Sequence, residues 1–262
     1  MIRGIDHLVI ACADPEAAAA ALASQLGLSA GGGGRHAGRG TWNRIVWLAD
    51  GSYLELIGVD DPELAGQSPV GAAAVRTLHE HGGGLATYAL RVDDLAATVD
   101  ALRAGDSSIG PATHGSRTRD DGEVVDWWTA VPDSDLGADG VPFLIEHAHS
   151  GAEWGPGALE QRATFAHPIG SPVSLARLDI ASPEPPSSAA TIHAELGIEF
   201  WAVADLAVAN VGPHVLRLVP SREMATTAVV TLAADVDAAR QEELLGLRFD
   251  VERAAVPVAD RP

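Results

Sequence analysis

A strand-then-helix unit recurs along the chain, and this repetition constrains the fold more than any other feature of the sequence. Leu8–Gly27 (LVIACADPEAAAAALASQLG) aligns with Leu178–Gly197 (LDIASPEPPSSAATIHAELG) after a shift of 170 positions. A shift of 80 aligns the same stretch with TYALRVDDLAATVDALRAG, which begins at Thr87. Repeats of one supersecondary unit bury a shared core, so three units beginning near residues 5, 85 and 175 predict one repeated architecture.

Each unit has the local signals of a strand, a capped helix and further strands. Asp14-Pro15, Asp94 and Ser187 stand where a helix begins, because Asp and Ser accept hydrogen bonds from unpaired N–H groups and proline suits the first helical position. Gly27, Gly105 and Gly197 stand where a left-handed C-terminal cap favours glycine. In the first unit, the runs TWNRIVWL and SYLELIGV follow as strands around Asp50-Gly51, a strong hairpin signal. The unit is therefore β-α-β-β, with a further strand after the helix in some copies.

Two segments connect the units, and one stretch near the C-terminus has two interpretations. Residues 60–82 join the first two units, with a short helix over Val70–His81. Residues 150–172, rich in Gly, Pro and polar residues, predict a linker to the third unit. The stretch from Val229 (VVTLAADVDAARQEELLG) resembles another unit with a shorter helix, and it equally suits the last strand of the third unit.

The charge balance excludes several classes of function. The 262 residues include 17 Lys and Arg against 36 Asp and Glu, which gives a formal net charge of −19. Such a surface repels phosphate backbones. No apolar run approaches the roughly 18 residues of a membrane-spanning helix. The polar N-terminus is unlike a signal peptide, and Cys12, the one cysteine, cannot form an internal disulfide. We therefore expect a cytoplasmic protein with a small-molecule ligand and with no nucleic-acid or membrane partner.

The tandem units resemble the vicinal oxygen chelate superfamily, which includes glyoxalase I, extradiol dioxygenases, fosfomycin- and bleomycin-resistance proteins, and epimerases. DHLVI opens the first unit and YLEL closes it, as in those proteins. The glyoxalase-like members share the pattern G-x-H-x-G-x-G-T-x-N, which here spans Gly34–Asn43 as GRHAGRGTWN. Further likeness lies in Pro142–Ile145 (PFLI) and in His167-Pro168.

The resemblance implies an α+β fold of tandem βαβββ modules. The modules at residues 1–60 and 83–150 would form a curved, barrel-like sheet around a pocket, and residues 172–262 would form a third, degenerate module. Relatives hold a divalent metal between the first and last strands of two modules. Three modules leave one without an intramolecular partner, which is compatible with a homodimer.

Carried over residue by residue, the resemblance implies His7, Glu55 and Glu146 as metal ligands, with Thr87 in the fourth position. Threonine departs from the pattern, since that position usually carries His or another strong donor and a neutral hydroxyl is a poor ligand. One imidazole and two carboxylates suit Zn, Mn, Ni, Fe or Mg, with open positions for substrate oxygens.

Apart from the resemblance, the local sequence supports Glu55 as a ligand more strongly than His7 or Glu146. A lone histidine on an apolar strand, such as His7, is more often a core histidine than a ligand. Glu55 is more informative, because a carboxylate between leucines must be paired, metal-bound or have a raised pKa. Glu146 lies nearer a strand end, where a solvated carboxylate is the simpler alternative. In the third unit Arg177 and Arg217 align with His7 and Glu55, so that unit is structural or a covering lid.

Polar and aromatic residues near the expected pocket predict substrate contacts. The predicted substrate-binding residues are His36, Thr41, Asn43, Tyr53, Thr87 and Trp127. Asn43 offers both a donor and an acceptor, which suits a polar substrate group. The alternatives are a flexible loop with a turn-stabilising asparagine, and simple core packing of the tryptophan.

Two pairs of residues in the second unit have an orientation that the sequence leaves open. Adjacent Trp127 and Trp128 must point to opposite faces of a strand, so only one can line the pocket. His147 and His149 share a face of a strand and can chelate, but side chains at the end of a module are more often exposed.

Two functions from different classes follow. A metal bound to two vicinal substrate oxygens acts as a Lewis acid while Glu55 or Glu146 takes a proton, which describes isomerase, lyase or epimerase chemistry. Thr87 and the aromatic residues favour instead a metal-free protein that binds a metabolite or an antibiotic. An enzyme that uses Glu55 as a base without metal cannot be separated from these by sequence. Extradiol-type dioxygenation ranks lower, because only His7 supplies an imidazole at the superfamily positions.

Overall fold

Two mixed β-sheets, each with helices packed on it, make up the computed structural model of the protein, which describes residues 1–119, 121–134 and 136–254. The elements of the first module and the segment after it are β1 (Ile2–Ala11), α1 (Pro15–Ala21), a π-helical turn (Leu22–Leu26), β2 (Gly33–His36), β3 (Thr41–Trp47), β4 (Tyr53–Val59), α2 (Pro62–Ala65) and α3 (Pro69–His81). Those of the second module and the segment after it are β5 (Gly84–Val92), α4 (Leu95–Ala104), β6 (Thr113–Thr118), β7 (Val124–Ala130), β8 (Phe143–His147), α5 (Gly151–Trp154) and α6 (Pro156–Thr164). The remaining elements are β9 (Val173–Ser182), α7 (Pro185–Leu196), β10 (Trp201–Val203), β11 (Leu206–Val211), β12 (His214–Pro220), a 3-10 turn (Ser221–Glu223), β13 (Ala228–Ala234), β14 (Arg240–Leu244) and β15 (Leu247–Arg253).

The first sheet confirms the predicted tandem βαβββ architecture. Its eight strands run in the order β2-β3-β4-β1-β5-β8-β7-β6, so two four-stranded halves meet at the antiparallel pair of β1 and β5. In each half the first strand pairs in parallel with the last strand, as β1 does with β4 and β5 with β8. The result is a curved, barrel-like sheet in which equivalent residues of the two halves are related by the 80-position shift.

Two of the predicted helix signals are wrong, because Gly105 has a φ of −99° and Ser187 lies inside α7, which begins at Pro185. The other signals act as expected. Asp14 accepts hydrogen bonds from the first backbone N–H groups of α1, and Asp94 does the same for α4. Gly27 has a left-handed φ of 67° at the end of the first helix. The connecting helix predicted over Val70–His81 is α3, which is capped by Ser68.

The stretch after Val229 forms a further, shortened unit in the second sheet, which supports the first of its two interpretations and excludes the second. Strand β13 pairs antiparallel with β9, as β5 does with β1, and β15 pairs in parallel with β13. The short helix expected in this unit is wrong, because Arg240–Leu244 forms a strand that makes a hairpin with β15. Leu245 and Gly246 make its two-residue turn with φ values of 55° and 74°. The third module thus has a partner within the chain, which removes the reason for expecting a homodimer.

Residues 150–172 are also different from the predicted linker. They include α5 and α6, which bury Glu153, Trp154 and Arg162 against the first sheet. None of the helices in the described residues combines the length and the apolarity that crossing a membrane requires.

Strand β1 is buried on both faces and positions the functional site. Leu8 and Ile10 belong to the main hydrophobic core with α1. Val9 and Ala11 face the other way and pack with Ile57 and the alanines of α3. Burying each large aliphatic side chain contributes about 1.5–3 kcal/mol, so polar groups on this strand are held in a rigid frame.

Candidate active site

A cavity of about 110 Å³ lies against one face of the first sheet, beside the start of α3 and the helix α5. Every strand of this sheet except β5 contributes side chains to its wall. The predicted site residues that line it are His7, His36, Thr41, Asn43, Tyr53, Glu55 and Trp127. The cavity therefore gathers most of the residues that the sequence singled out.

Strand alternation brings these side chains to one face. Strand β1 pairs with β4 so that His7 lies opposite Tyr53 and Val9 lies opposite Glu55. Strand β3 pairs antiparallel with β4 and presents Asn43 to the same cavity. Because alternate residues of a strand share a face, one imidazole, one phenol and one carboxylate converge.

Glu55 lies at the centre of this convergence. The Asn43 Nδ2 donates a hydrogen bond to Glu55 Oε1 at 2.6 Å, and the Asn43 Oδ1 accepts one from the Gly34 backbone at 3.1 Å, which fixes the orientation of the amide. The Nε2 atoms of His7 and His36 lie 3.7 and 3.8 Å from the two carboxylate oxygens. These two separations exceed a direct hydrogen bond, so neither imidazole Nε2 is bonded to the carboxylate and each remains available to a ligand in the cavity.

The imidazole of His36 is positioned by its own partner. Its Nδ1 is 2.8 Å from the hydroxyl of Thr41. Burial lowers the pKa of His36 from its ordinary value, although the charge of Glu55 opposes this shift. The ring is therefore neutral near pH 7, and when the Thr41 hydroxyl donates to Nδ1, its Nε2–H points toward the carboxylate.

The imidazole of His7 is positioned by Asp6, a fully buried carboxylate that sequence reasoning missed. Asp6 Oδ1 lies 2.8 Å from His7 Nδ1 and 3.0 Å from His147 Nε2. Burial opposes the ionisation of Asp6, but the two imidazoles outweigh it and hold the pKa of that carboxyl well below its usual range. Burial lowers the pKa of His147, with Asp6 opposing, so His147 is a neutral donor to an ionised carboxylate.

Tyr53 and Trp154 complete the aromatic wall of the cavity. The Tyr53 ring stacks on His7 with centroids 4.5 Å apart, and burial raises the pKa of its hydroxyl well above the ordinary value. Trp154, from α5, stacks on His147 at 3.5 Å. These contacts restrict the imidazoles to single orientations.

The helix α5 is held in place by buried charges. The Arg117 Nη2 donates to the Glu153 carboxylate at 2.7 Å, and both side chains are buried. The Arg162 guanidinium lies 3.4 Å from the centroid of the Trp47 ring and 4.7 Å from that of Trp154. The segment predicted as a linker therefore forms one side of the cavity.

Two predicted site residues lie outside the cavity lining. Strand β8 places His147 on the cavity face, so the next residue toward its start, Glu146, points to the opposite face, where its Oε2 accepts a hydrogen bond from the Leu95 backbone at 2.7 Å. Glu146 therefore caps α4 instead of joining Glu55. Thr87 is fully buried, and its hydroxyl has no partner among the described residues.

The residues present do not fit the metal that the resemblance implies. The shift of 80 makes Thr87 the equivalent of His7, and strand pairing makes Phe143 the equivalent of Glu55, since Ala89 lies opposite Phe143 as Val9 lies opposite Glu55. The second module thus contributes a neutral hydroxyl and a phenyl ring, and a phenyl ring cannot ligate. In the described part of the chain, no group of three or more His, Cys, Asp or Glu side chains is arranged to hold a metal ion.

The equivalent positions of the second sheet hold an ion-pair cluster. Strand pairing places Arg217 opposite Asp179, as Glu55 lies opposite Val9. The Arg217 Nε donates to Asp179 at 2.7 Å, and the Arg177 Nε lies 3.1 Å from the same carboxylate. These positions therefore carry paired charges where the first sheet carries its cavity.

This fold and this cavity define a member of the vicinal oxygen chelate superfamily. More particularly, the chain belongs to the glyoxalase-like domain family, whose sequence model matches residues 5–197. No functionally curated protein matches the chain in sequence.

Two of the matching solved structures have the same fold over most of this chain. A hypothetical protein from Staphylococcus aureus matches 97% of this chain and 100% of its own, with 13% identity and a TM-score of 0.78. A mutant 4-hydroxymandelate synthase from Streptomyces coelicolor matches 90% of this chain and 72% of its own, with 14% identity and a TM-score of 0.56. Methylmalonyl-CoA epimerase from Streptomyces coelicolor matches 56% of this chain and 99% of its own, with 19% identity and a TM-score of 0.42.

Proposed function

We propose that this protein is a small-molecule enzyme that moves a proton at a carbon next to a substrate carbonyl, with Glu55 as the base. The observation that carries the proposal is the Glu55 carboxylate, which faces a cavity, is oriented by Asn43 and has an imidazole Nε2 3.7 or 3.8 Å from each oxygen. A general base must be held within reach of the proton that it removes, and this geometry provides that.

The reaction balances without a co-reactant. The C–H bond of the substrate breaks, its proton goes to a Glu55 carboxylate oxygen, and its electron pair moves onto the carbonyl oxygen as an enolate. The neutral His36, with Thr41 on its other nitrogen, donates its Nε2–H to that oxygen. Glu55 then returns the proton to the same or a neighbouring carbon, which is epimerase or isomerase chemistry.

His7 is a positioning residue in this proposal. Asp6 holds its Nδ1, so its Nε2 faces Glu55 Oε2 and fixes where the substrate can lie. The divalent metal implied by the resemblance has no part in the reaction, because Thr87 and Phe143 do not supply the remaining ligands.

Deuterium exchange tests the proposal. The protein is incubated in D2O with a panel of small oxo and hydroxy compounds, and deuterium at carbon is measured by mass spectrometry. We expect exchange into at least one compound, and we expect Glu55→Gln to slow it by about 10²–10⁴-fold, as for the loss of a general base. The control is Glu63→Gln, an exposed carboxylate on α2. Binding without exchange would favour the alternative of a metabolite-binding protein.

A further inference from the structure

We infer that the substrate of this cavity is a small oxo or hydroxy acid, whose carboxylate is bound by Arg39 beside the first turn of α3. The inference rests on the proposed function, because it assigns a substrate class to the same site. It identifies the group that holds the substrate while Glu55 acts on it.

Arg39 is a cation of the cavity wall without a protein partner. It lies on the turn between β2 and β3 and is partly buried, and its side chain makes no hydrogen bond or ion pair with any described residue. Arg117, which also lines the cavity, is bound instead to the Glu153 carboxylate and to the Gly33 carbonyl. In a chain with 36 acidic and 17 basic residues, an arginine without a carboxylate at a cavity leaves room for a ligand's carboxylate.

The charge of Arg39 reaches the reacting groups. Burial lowers the pKa of His36, the ring that faces Glu55, and the charges of Arg117 and Arg39 add to this shift. Arg39 lines the same cavity as His36 and Glu55, so a carboxylate bound to it would occupy the cavity in which both groups act.

The first turn of α3 adds a second attraction for an anion. Ser68, Val70 and Gly71 line the same cavity, and α3 is a helix of 13 residues that begins at Pro69. First-turn N–H groups have no acceptor within the helix, and the helix dipole favours negative charge there. Proline has no N–H and Ser68 Oγ accepts from Gly71, so the Val70 N–H remains for a ligand.

An independent observation points to a hydroxyl on the same ligand. His147 is 4% exposed, lines the cavity and donates its Nε2–H to Asp6, and its Nδ1 has no partner among the described residues. An unprotonated ring nitrogen is an acceptor, so a substrate hydroxyl would satisfy it. A buried acceptor left unpaired costs about 1–3 kcal/mol, and a hydroxy acid removes that cost.

Matched acids and amides test the inference. Lactate and pyruvate are titrated into the protein at up to about 10 mM, where a Kd of about 1 mM nearly saturates the site, and binding is followed by calorimetry and by amide NMR shifts. Lactamide and pyruvamide are the neutral counterparts. We expect the acids to bind at least tenfold more tightly than the amides.

Variants locate the anion. We expect Arg39→Gln to weaken acid binding at least tenfold and Arg39→Lys to restore part of it, since lysine keeps the charge but not the paired donors. The matched control is Arg35→Gln, on the same hairpin, whose exposed side chain is paired with Asp60. We expect this control to bind the acids as the wild type does.

Three results overturn the inference: no binding of either acid, equal binding of acids and amides, or acid binding that survives Arg39→Gln. Glu55→Gln separates this failure from that of the proposed function, since removing a negative charge leaves Arg39 and acid binding in place. Arg39-dependent binding without Glu55-dependent exchange contradicts only the catalysis, and exchange that is independent of Arg39 contradicts only the substrate class.

Discussion

Asp6 and His7 are neighbours on one strand, yet their side chains meet in a hydrogen bond of 2.8 Å between Oδ1 and Nδ1. Regular alternation would point them to opposite faces. The pairing of β1 with β5 shifts register between Ile5 and His7, and this irregularity turns both side chains toward each other. The same carboxylate oxygen also binds His147 from the second module, so it joins the two halves of the sheet.

Asp6→Ala should therefore destabilise the fold strongly. The change leaves two buried imidazole N–H groups without an acceptor, at about 1–3 kcal/mol each. We expect the free energy of unfolding in urea, followed by circular dichroism, to fall by about 2–5 kcal/mol. Asp93→Ala, which removes an exposed ion pair with Arg3, is the control and should have no measurable effect. Equal stability of the two variants would contradict the role of Asp6.

Acid should destabilise the protein through His167. Its Nδ1 accepts from the Ser29 backbone at 3.1 Å and its Nε2 lies 2.9 Å from the Trp47 carbonyl, so only the neutral ring satisfies both contacts. Burial lowers its pKa, with the Trp47 carbonyl opposing. The unfolded chain then binds a proton near pH 6.5 that the folded chain binds only at lower pH, so stability falls as the pH drops through this window.

Urea unfolding between pH 7.5 and 5.5 measures this effect, and the dependence should be weaker in His167→Gln. A glutamine amide keeps a donor and an acceptor but does not titrate in this range. A stability that rises toward pH 5.5, or a dependence unchanged in the variant, would show that His167 is not responsible.

Glu146→Ala should lower stability without affecting the site. The carboxylate accepts from the Leu95 N–H at the start of α4, and losing such a cap costs about 0.5–2 kcal/mol. Exchange measured at equal concentrations of folded protein should equal that of the wild type. A loss of exchange comparable to that of Glu55→Gln would restore Glu146 to the active site.

Arg162→Leu should weaken the packing of α5, which forms one side of the cavity. The guanidinium packs on Trp47 and Trp154 and donates to the Glu153 carbonyl, and a desolvated cation–π contact contributes about 2 kcal/mol. We expect faster proteolysis within residues 150–164 and a shift in tryptophan fluorescence. Arg162→Lys should restore little, because the planar guanidinium stacks and an ammonium does not. Full rescue by lysine would mean that charge alone holds the helix.

A double substitution, Thr87→His with Phe143→Glu, should create a metal site by supplying the two ligands that the second module lacks. It places an imidazole and a carboxylate at the positions equivalent to His7 and Glu55. We expect Zn²⁺ binding, measured by competition with a chromogenic chelator, to tighten at least tenfold, since the variant then carries two imidazoles and two carboxylates at the four equivalent strand positions. Unchanged zinc affinity in a folded variant would show that these positions do not converge.

Most of the local structure was predictable because short-range chemistry determines it. The caps at Asp14 and Asp94 and the glycine at Gly27 act within a few residues, and the structure confirms each. His7 and Glu55 were predictable as a pair, because the resemblance gives both as ligands and a carboxylate in a buried strand needs a partner. Asn43 was predicted separately as a substrate contact, and its hydrogen bond to Glu55 was not predicted.

What the sequence could not predict depends on long-range register. Asp6 was missed because a local irregularity, not alternation, orients it, although a charged residue inside an apolar strand was a signal. The sequence wrongly predicts that Glu146, and not His147, faces the pocket. A difference of one residue in register is enough to exchange the two faces of a strand. Glu153 and Arg162 were missed because their partners lie on strands distant in sequence.

The ion pairs among Arg177, Asp179 and Arg217 have a consequence for stoichiometry. The second sheet repeats the architecture of the first, which suggests two active sites per polypeptide. In the second sheet, however, the charged side chains at the equivalent positions form ion pairs with one another. Each polypeptide should therefore saturate with a single equivalent of substrate and show simple hyperbolic kinetics. The second sheet would then have a structural role, supporting the first sheet.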